Sequence, residues 1–305
     1  MISVSDKAVE YDQLKADGNK IHISFSEFSL FNQCGHRHLL EKHLAIIQQP
    51  PSIHLFFGNA IHSSIEISLK DNYDIEKRVD FFRSTFTKSM MDNMQETADF
   101  KNNFYDFLDQ GEQILRILDF ENIFRDYEIL TVEEALYENL FSNFYFKGFI
   151  DLVLRHKVTK RYKIVDWKTS GVAWDIPKKM KDEIFLSQMR FYKFFWGKKN
   201  NVSLEDIDCG YVVLNRLKEK KNPKSYPGEL QEIHVKSTLG EVKESLEKLA
   251  IALKMIHIDR TFPKIKKIEG AKACIFCPLK GGKHPLCDSS DRQDKKILKE
   301  HKKKA

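Results

Sequence analysis

Residues Gly148 to Lys168 constrain the fold of this chain more than any other stretch. They run G-F-I-D-L-V-L-R-H-K-V-T-K-R-Y-K-I-V-D-W-K, so two apolar runs each carry a carboxylate, Asp151 and Asp166. Lys168 follows the second acid by two positions. Side chains alternate along a strand, which puts Asp166 and Lys168 on one face. Charges are costly to bury unless they are paired or bound to a metal. A hard divalent cation suits the two carboxylates, because Mg²⁺ and Mn²⁺ prefer oxygen ligands. An exposed ion pair on an edge strand is the plainer alternative and would contribute little. The apolar run Tyr162-Lys163-Ile164-Val165 reads as a central strand instead.

The rest of the chain supplies a frame for this pair. Helices are expected over 25–45, capped by Ser24 or Ser26, over about 58–70, and around Gln188 and Tyr192. Residues 74–128, proline-free and rich in Phe, Met, Asp and Gln, read as a helical insertion. Strands are expected at roughly 131–141, 144–155 and 161–168, with Ser142-Asn143 as a tight turn, and at about 209–216. Lys218 to Gly228 reads as a loop, and 239–258 as a helix. This order predicts an α/β fold, a mixed central sheet flanked by helices. We expect one domain over 1–305, with 131–216 as its catalytic sheet and helix. The aromatic residues of the insertion, Phe82, Phe86, Phe104, Tyr105 and Phe107 among them, stand at helical spacing and are expected mainly in the core.

His62 precedes Glu66 by one helical turn, and Gln188 precedes Tyr192 likewise, so each pair shares a helix face. Taken in order, Ser24-Phe25-Ser26-Glu27-Phe28 with Cys34, then Gly58 to His62, Asp151, Asp166-Trp167-Lys168, and Gln188 to Tyr192 resemble the PD-(D/E)XK nuclease superfamily. Within it they are similar to the RecB-type exonucleases that carry an iron–sulfur cluster. The resemblance spans about residues 24–288. It implies the restriction-endonuclease-like core and DNA as partner, single-stranded or with free ends. It also implies a site in which His62, Asp151, Asp166 and the Trp167 carbonyl hold Mg²⁺ or Mn²⁺. Lys168 would then orient the attacking water or hold a phosphate oxygen, and Gln188 and Tyr192 would hydrogen-bond the phosphate or the DNA end. A glutamate of the first strand assists such sites. Glu133 and Glu134 are both candidates, and alternation lets only one face the metal.

Five cysteines are present, three of them as C-x2-C-x9-C at Cys274, Cys277 and Cys287. The N-terminus lacks a basic region followed by an apolar run, and no apolar stretch is long enough to span a membrane. A cytoplasmic protein is therefore expected, with these thiols as metal ligands rather than disulfides. The resemblance implies that Cys34 joins them around a [4Fe-4S] cluster in the segment 270–288. The last spacing is longer than is usual there, which keeps Zn²⁺ as the alternative, with His284 as a substitute ligand. Cys209 lies in an apolar strand and is expected to be a core thiol.

Formal net charge is +6, a mild excess that suits a phosphate-rich partner. Much of it lies in the tail 289–305, which is expected to be mobile. Lys178, Lys179 and Lys181 follow the Lys168 strand and are the better candidates for DNA contacts. The leading expectation is a metal-dependent single-strand DNA exonuclease. A flap endonuclease, a nuclease of CRISPR spacer acquisition and a DNA-binding module with an inactive site are the alternatives. The full set of His62, Asp151, Asp166, Lys168, Gln188 and Tyr192 argues against the last.

Overall fold

The computed structural model describes residues 16–17, 20–45, 52–94, 98–172, 174–216 and 230–263. In chain order these form β1 (Ala16–Asp17), β2 (Lys20–Ser24), α1 (Phe25–Gln33), α2 (Gly35–His38), a π turn (Leu39–His43), α3 (Ile53–Asp71), α4 (Ile75–Met94), α5 (Ala98–Arg116) and α6 (Phe120–Ile123). There follow β3 (Tyr127–Phe141), β4 (Phe144–His156), β5 (Tyr162–Ser170), α7 (Ile176–Lys179), α8 (Glu183–Asn200), β6 (Ile207–Asn215), β7 (Leu230–His234) and α9 (Leu239–His257). The fold is mixed α/β. No helix among the described residues is long and apolar enough to cross a membrane.

The chain divides into two compact units: 1–49 with 139–146 and 247–305, and 50–138 with 147–246. In the first, β1 pairs antiparallel with β2, and the Ile21 N–H bonds the Asn143 carbonyl at the tip of the β3–β4 hairpin. Ser24, not Ser26, caps α1 by accepting the Glu27 N–H. The helix expected over 25–45 is broken at Cys34, whose extended backbone (φ −167°, ψ 106°) ends α1 and starts α2. Gly35 lies tight against Pro263, where a Cβ would come within 2.8 Å of the proline ring. The buried Glu27 carboxylate meets His38 Nε2 at 3.1 Å, tying α1 to α2.

The second unit holds the principal core. Its strands run β3-β4-β5-β6-β7, with β5 and β6 parallel and β4–β5 and β6–β7 antiparallel. Phe57, Phe82, Phe86, Phe104 and Phe107 stack between α3, α4 and α5, and Trp167, Val165 and Leu154 of the sheet join the same cluster. Of the insertion aromatics, Phe82, Phe86, Phe104 and Phe107 are core, as their spacing implies, whereas Tyr105 is 77% exposed. Each such ring contributes about 1.5–3 kcal/mol by leaving water. Helix α3 begins at Ile53, five residues before the expected start, because Ser52 caps it by accepting the His54 N–H. Strand β3 begins at Tyr127 rather than 131, which shortens the insertion to three helices ending at Ile123. Strand β7 was not anticipated. The loop Lys218–Gly228, the cysteine segment 270–288 and the tail 289–305 lie outside the described residues.

Candidate active site

The site forms where β4 and β5 part. Their antiparallel register runs from Arg155↔Tyr162 to Leu152↔Val165. Asp151 and Asp166 stand at the next position, just beyond the end of that ladder. There the Trp167 N–H turns to the Asp151 carboxylate, donating to Oδ2 at 2.7 Å. A side-chain oxygen thus replaces the strand partner that β4 no longer offers.

Asp166 is buried, 3% exposed, on a strand flanked by β4 and β6. Its Oδ1 accepts from Gln188 Nε2 at 2.9 Å, and Oδ2 lies 2.6 Å from Lys168 Nζ. Burial, with the Asp151 charge adding and Lys168 opposing, pushes the Asp166 carboxyl up to about 6. Gln188 Nε2 also reaches the Tyr192 hydroxyl at 3.2 Å, and the two side chains lie one turn apart on α8. Burial raises the Tyr192 phenol, and the Asp166 charge raises it further.

Helix α3 supplies the opposite wall. His62 Nδ1 is 3.5 Å from Asp151 Oδ2. Burial works against the imidazolium, but Asp151 and then Asp166 outweigh it, so His62 titrates above its usual value. A cleft of about 470 Å³ is lined by His54, Asn59, His62 and Glu66 of α3 together with Glu133 and Asp151. Asp166 and Lys168 are not among its lining residues. Glu66 joins the site by the same helical spacing that placed His62, and His54 and Asn59 were legible in that spacing too.

The two glutamates of β3 are placed differently. Glu133 adopts a left-handed conformation, φ 55°, which breaks the regular alternation, and it lines the cleft. Burial raises its carboxyl, and the Asp151 and Glu66 charges add to the rise. Glu134 serves elsewhere: it takes Thr131 Oγ1 at 2.7 Å, Trp196 Nε1 at 2.9 Å and Lys199 Nζ at 2.9 Å. Those hydrogen bonds overcome its burial and hold its carboxyl below the usual range.

Among the described residues, no three His, Cys, Asp or Glu side chains are arranged as a metal-binding group. The chemistry of the site nevertheless fits a hard cation. The Asp151 charge raises the carboxyls of both Glu133 and Asp166, so negative charge gathers at this point of the sheet. An oxygen-rich set with one imidazole suits Mg²⁺ or Mn²⁺.

Other expected residues are placed as follows. Lys179 lies over the Trp174 ring at 4.4 Å and the Phe185 ring at 4.8 Å, while Lys178 and Lys181 are exposed. Cys34 accepts the Arg37 N–H at 3.4 Å, and Cys274, Cys277 and Cys287 lie outside the described residues. Cys209 is a core thiol, pushed up to about 12 by burial.

The profile of the PD-(D/E)XK nuclease superfamily matches residues 22–281, and the chain belongs to that superfamily. No curated protein matches it. Among solved structures, one titled "Crystal structure of SSO0001" is 12% identical, with 83% of this chain and 93% of that chain covered and a TM-score of 0.33.

Proposed function

We propose that this protein is a metal-dependent DNA nuclease of the RecB type, acting on single-stranded DNA from a free end. The observation that carries the nuclease reading is the meeting of Asp151, Asp166 and Lys168 where β4 and β5 part, with His62 facing Asp151. His62, Asp151, Asp166 and the Trp167 carbonyl would hold Mg²⁺ or Mn²⁺, with Glu133 beside them. The cation, when bound, lowers the pKa of its water and polarises the phosphate. Lys168, a compact ammonium on the Asp166 strand, orients the attacking water or holds a phosphate oxygen. Gln188 fixes Asp166 through its amide and, with Tyr192, reaches toward the phosphate. Cys34, Cys274, Cys277 and Cys287 would ligate a [4Fe-4S] cluster, stapling the start of the chain to its C-terminal segment. The preference for single strands and for ends comes from the sequence resemblance.

The test is cleavage of end-labelled linear single-stranded DNA and of a closed single-stranded circle, with Mg²⁺ or Mn²⁺, beside Lys168→Ala. Cleavage of the linear form alone, lost in the variant, is expected. Cutting of the circle would make the protein an endonuclease. Cleavage by Lys168→Ala at the wild-type rate would sink the site assignment.

A further inference from the structure

Arg216 stands one residue beyond β6, its N–H bonded to the Ser170 carbonyl at 2.7 Å. Asn215 is in register with Ser170 and so shares the face of Lys168. Arg216, the next residue, takes the other face, toward α3. Its guanidinium lies over the Phe107 ring at 4.3 Å and 5.7 Å from the centre of the Phe57 ring. The Phe107 ring in turn packs edge-on against His54, which lines the cleft, at 5.2 Å. Gly171 makes the placement possible, since a Cβ there would fall 2.4 Å from Arg216 Nη2.

Arg216 is only 9% exposed, yet among the described residues no carboxylate pairs with it and no acceptor takes its guanidinium N–H groups. Neighbouring cations differ: Lys168 meets Asp166, Arg190 meets Glu183 and Glu241, and Lys199 meets Glu134. A buried cation without a counter-charge is costly. The two rings offset part of that cost. They leave the planar donor fork free for an anion, and a guanidinium matches a phosphate in two parallel hydrogen bonds.

We propose that Arg216 binds a phosphodiester of the substrate strand, one removed from the scissile phosphate, and so positions the strand along the cleft. Its place on the face away from Lys168 separates it from the reacting group. This inference rests on the nuclease reading above.

The experiment is steady-state cleavage of labelled single-stranded DNA by wild type, Arg216→Met, Arg216→Lys and Gly171→Ala over a range of salt. Arg216→Met is expected to raise KM about tenfold with kcat within about twofold. The dependence of log KM on log salt should become shallower by about 0.7, the loss of one phosphate contact on a single strand. Arg216→Lys should keep the wild-type salt slope. Gly171→Ala leaves the arginine in the chain but displaces its guanidinium, so it carries the same KM prediction should Arg216→Met fail to fold. Cleavage by Arg216→Met and Gly171→Ala with wild-type KM overturns the proposal, as does a raised KM with an unchanged salt slope. Wild-type protein that neither binds nor cleaves DNA overturns the nuclease reading, and this one with it.

Discussion

Replacing Asp166 with asparagine is expected to stabilise the metal-free protein while abolishing cleavage. The carboxyl is 3% exposed, and burial lifts it from 3.8 to about 6. At 1.36 kcal/mol per pH unit, ionising it in the folded chain costs about 3 kcal/mol. The sign follows from the direction of the shift. Folded Asp166 holds its proton more tightly than the unfolded chain does, so it favours folding below about pH 4, and that contribution is lost as pH rises through about 6. Asparagine cannot ionise, and its side-chain oxygen still accepts from Gln188. It loses the attraction of Lys168, which already counts in that shift. The gain is therefore about 3 kcal/mol near pH 8, or about 6 °C in Tm for a chain of this size. Near pH 4 the gain should vanish. Unfolding is followed by tryptophan fluorescence in chelator, because Trp167, Trp174 and Trp196 all lie in the unit that holds the site. A variant that melts at or below wild type near pH 8, or by the same margin at both pH values, would refute the reasoning. Added Mg²⁺ should raise the wild-type Tm and leave Asp166→Asn unmoved.

Three further outcomes are expected. Asp151→Ala strands the Trp167 N–H and should cost about 1–3 kcal/mol of stability, whereas Asp151→Asn keeps an acceptor and should cost less; both should abolish cleavage, checked by melting and by the DNA assay. Glu133→Gln should slow cleavage about 10- to 100-fold without lowering Tm. Glu134→Gln should do the reverse, leaving kcat within about twofold and costing about 1–2 kcal/mol through its Trp196 and Lys199 contacts; equal kinetic effects of the two would contradict the placement of Glu133 in the cleft. Cys274→Ala should lower solubility and Tm in protein purified without oxygen, with loss of iron; an unchanged Tm with metal still bound would count against the cluster.

The strand pair with its two carboxylates was legible because period-two alternation needs no tertiary information. The face shared by Asp166 and Lys168 follows from counting, and so does the face shared by Gln188 and Tyr192. Glu133 was not legible against Glu134, because the positive φ at 133 overrides the alternation on which a sequence argument relies. Lys179 was legible as a cation near the site by position, but not its stacking on Trp174 and Phe185, five residues before and six after it. Arg216 ends an apolar strand and carries no pattern at all. Its meaning lies in what surrounds it: two phenylalanine rings from α3 and α5 and, among the described residues, no acid.

The arrangement at Asp151 joins fold and chemistry in one side chain. A sheet cannot part without stranding backbone donors, and a stranded buried N–H costs about 1–3 kcal/mol. Here the donor of Trp167 is taken by the carboxylate that also faces His62. A carboxylate has about four lone-pair directions, so one hydrogen bond leaves most of its capacity for a cation. Asp151 therefore stabilises the gap between β4 and β5 and, through the same group, brings negative charge to the cleft. An asparagine could do the first and not the second. The negative charge at 151, beside Glu133 and Asp166 whose carboxyls it raises, is a cost that folding alone does not require. A bound cation would remove that cost.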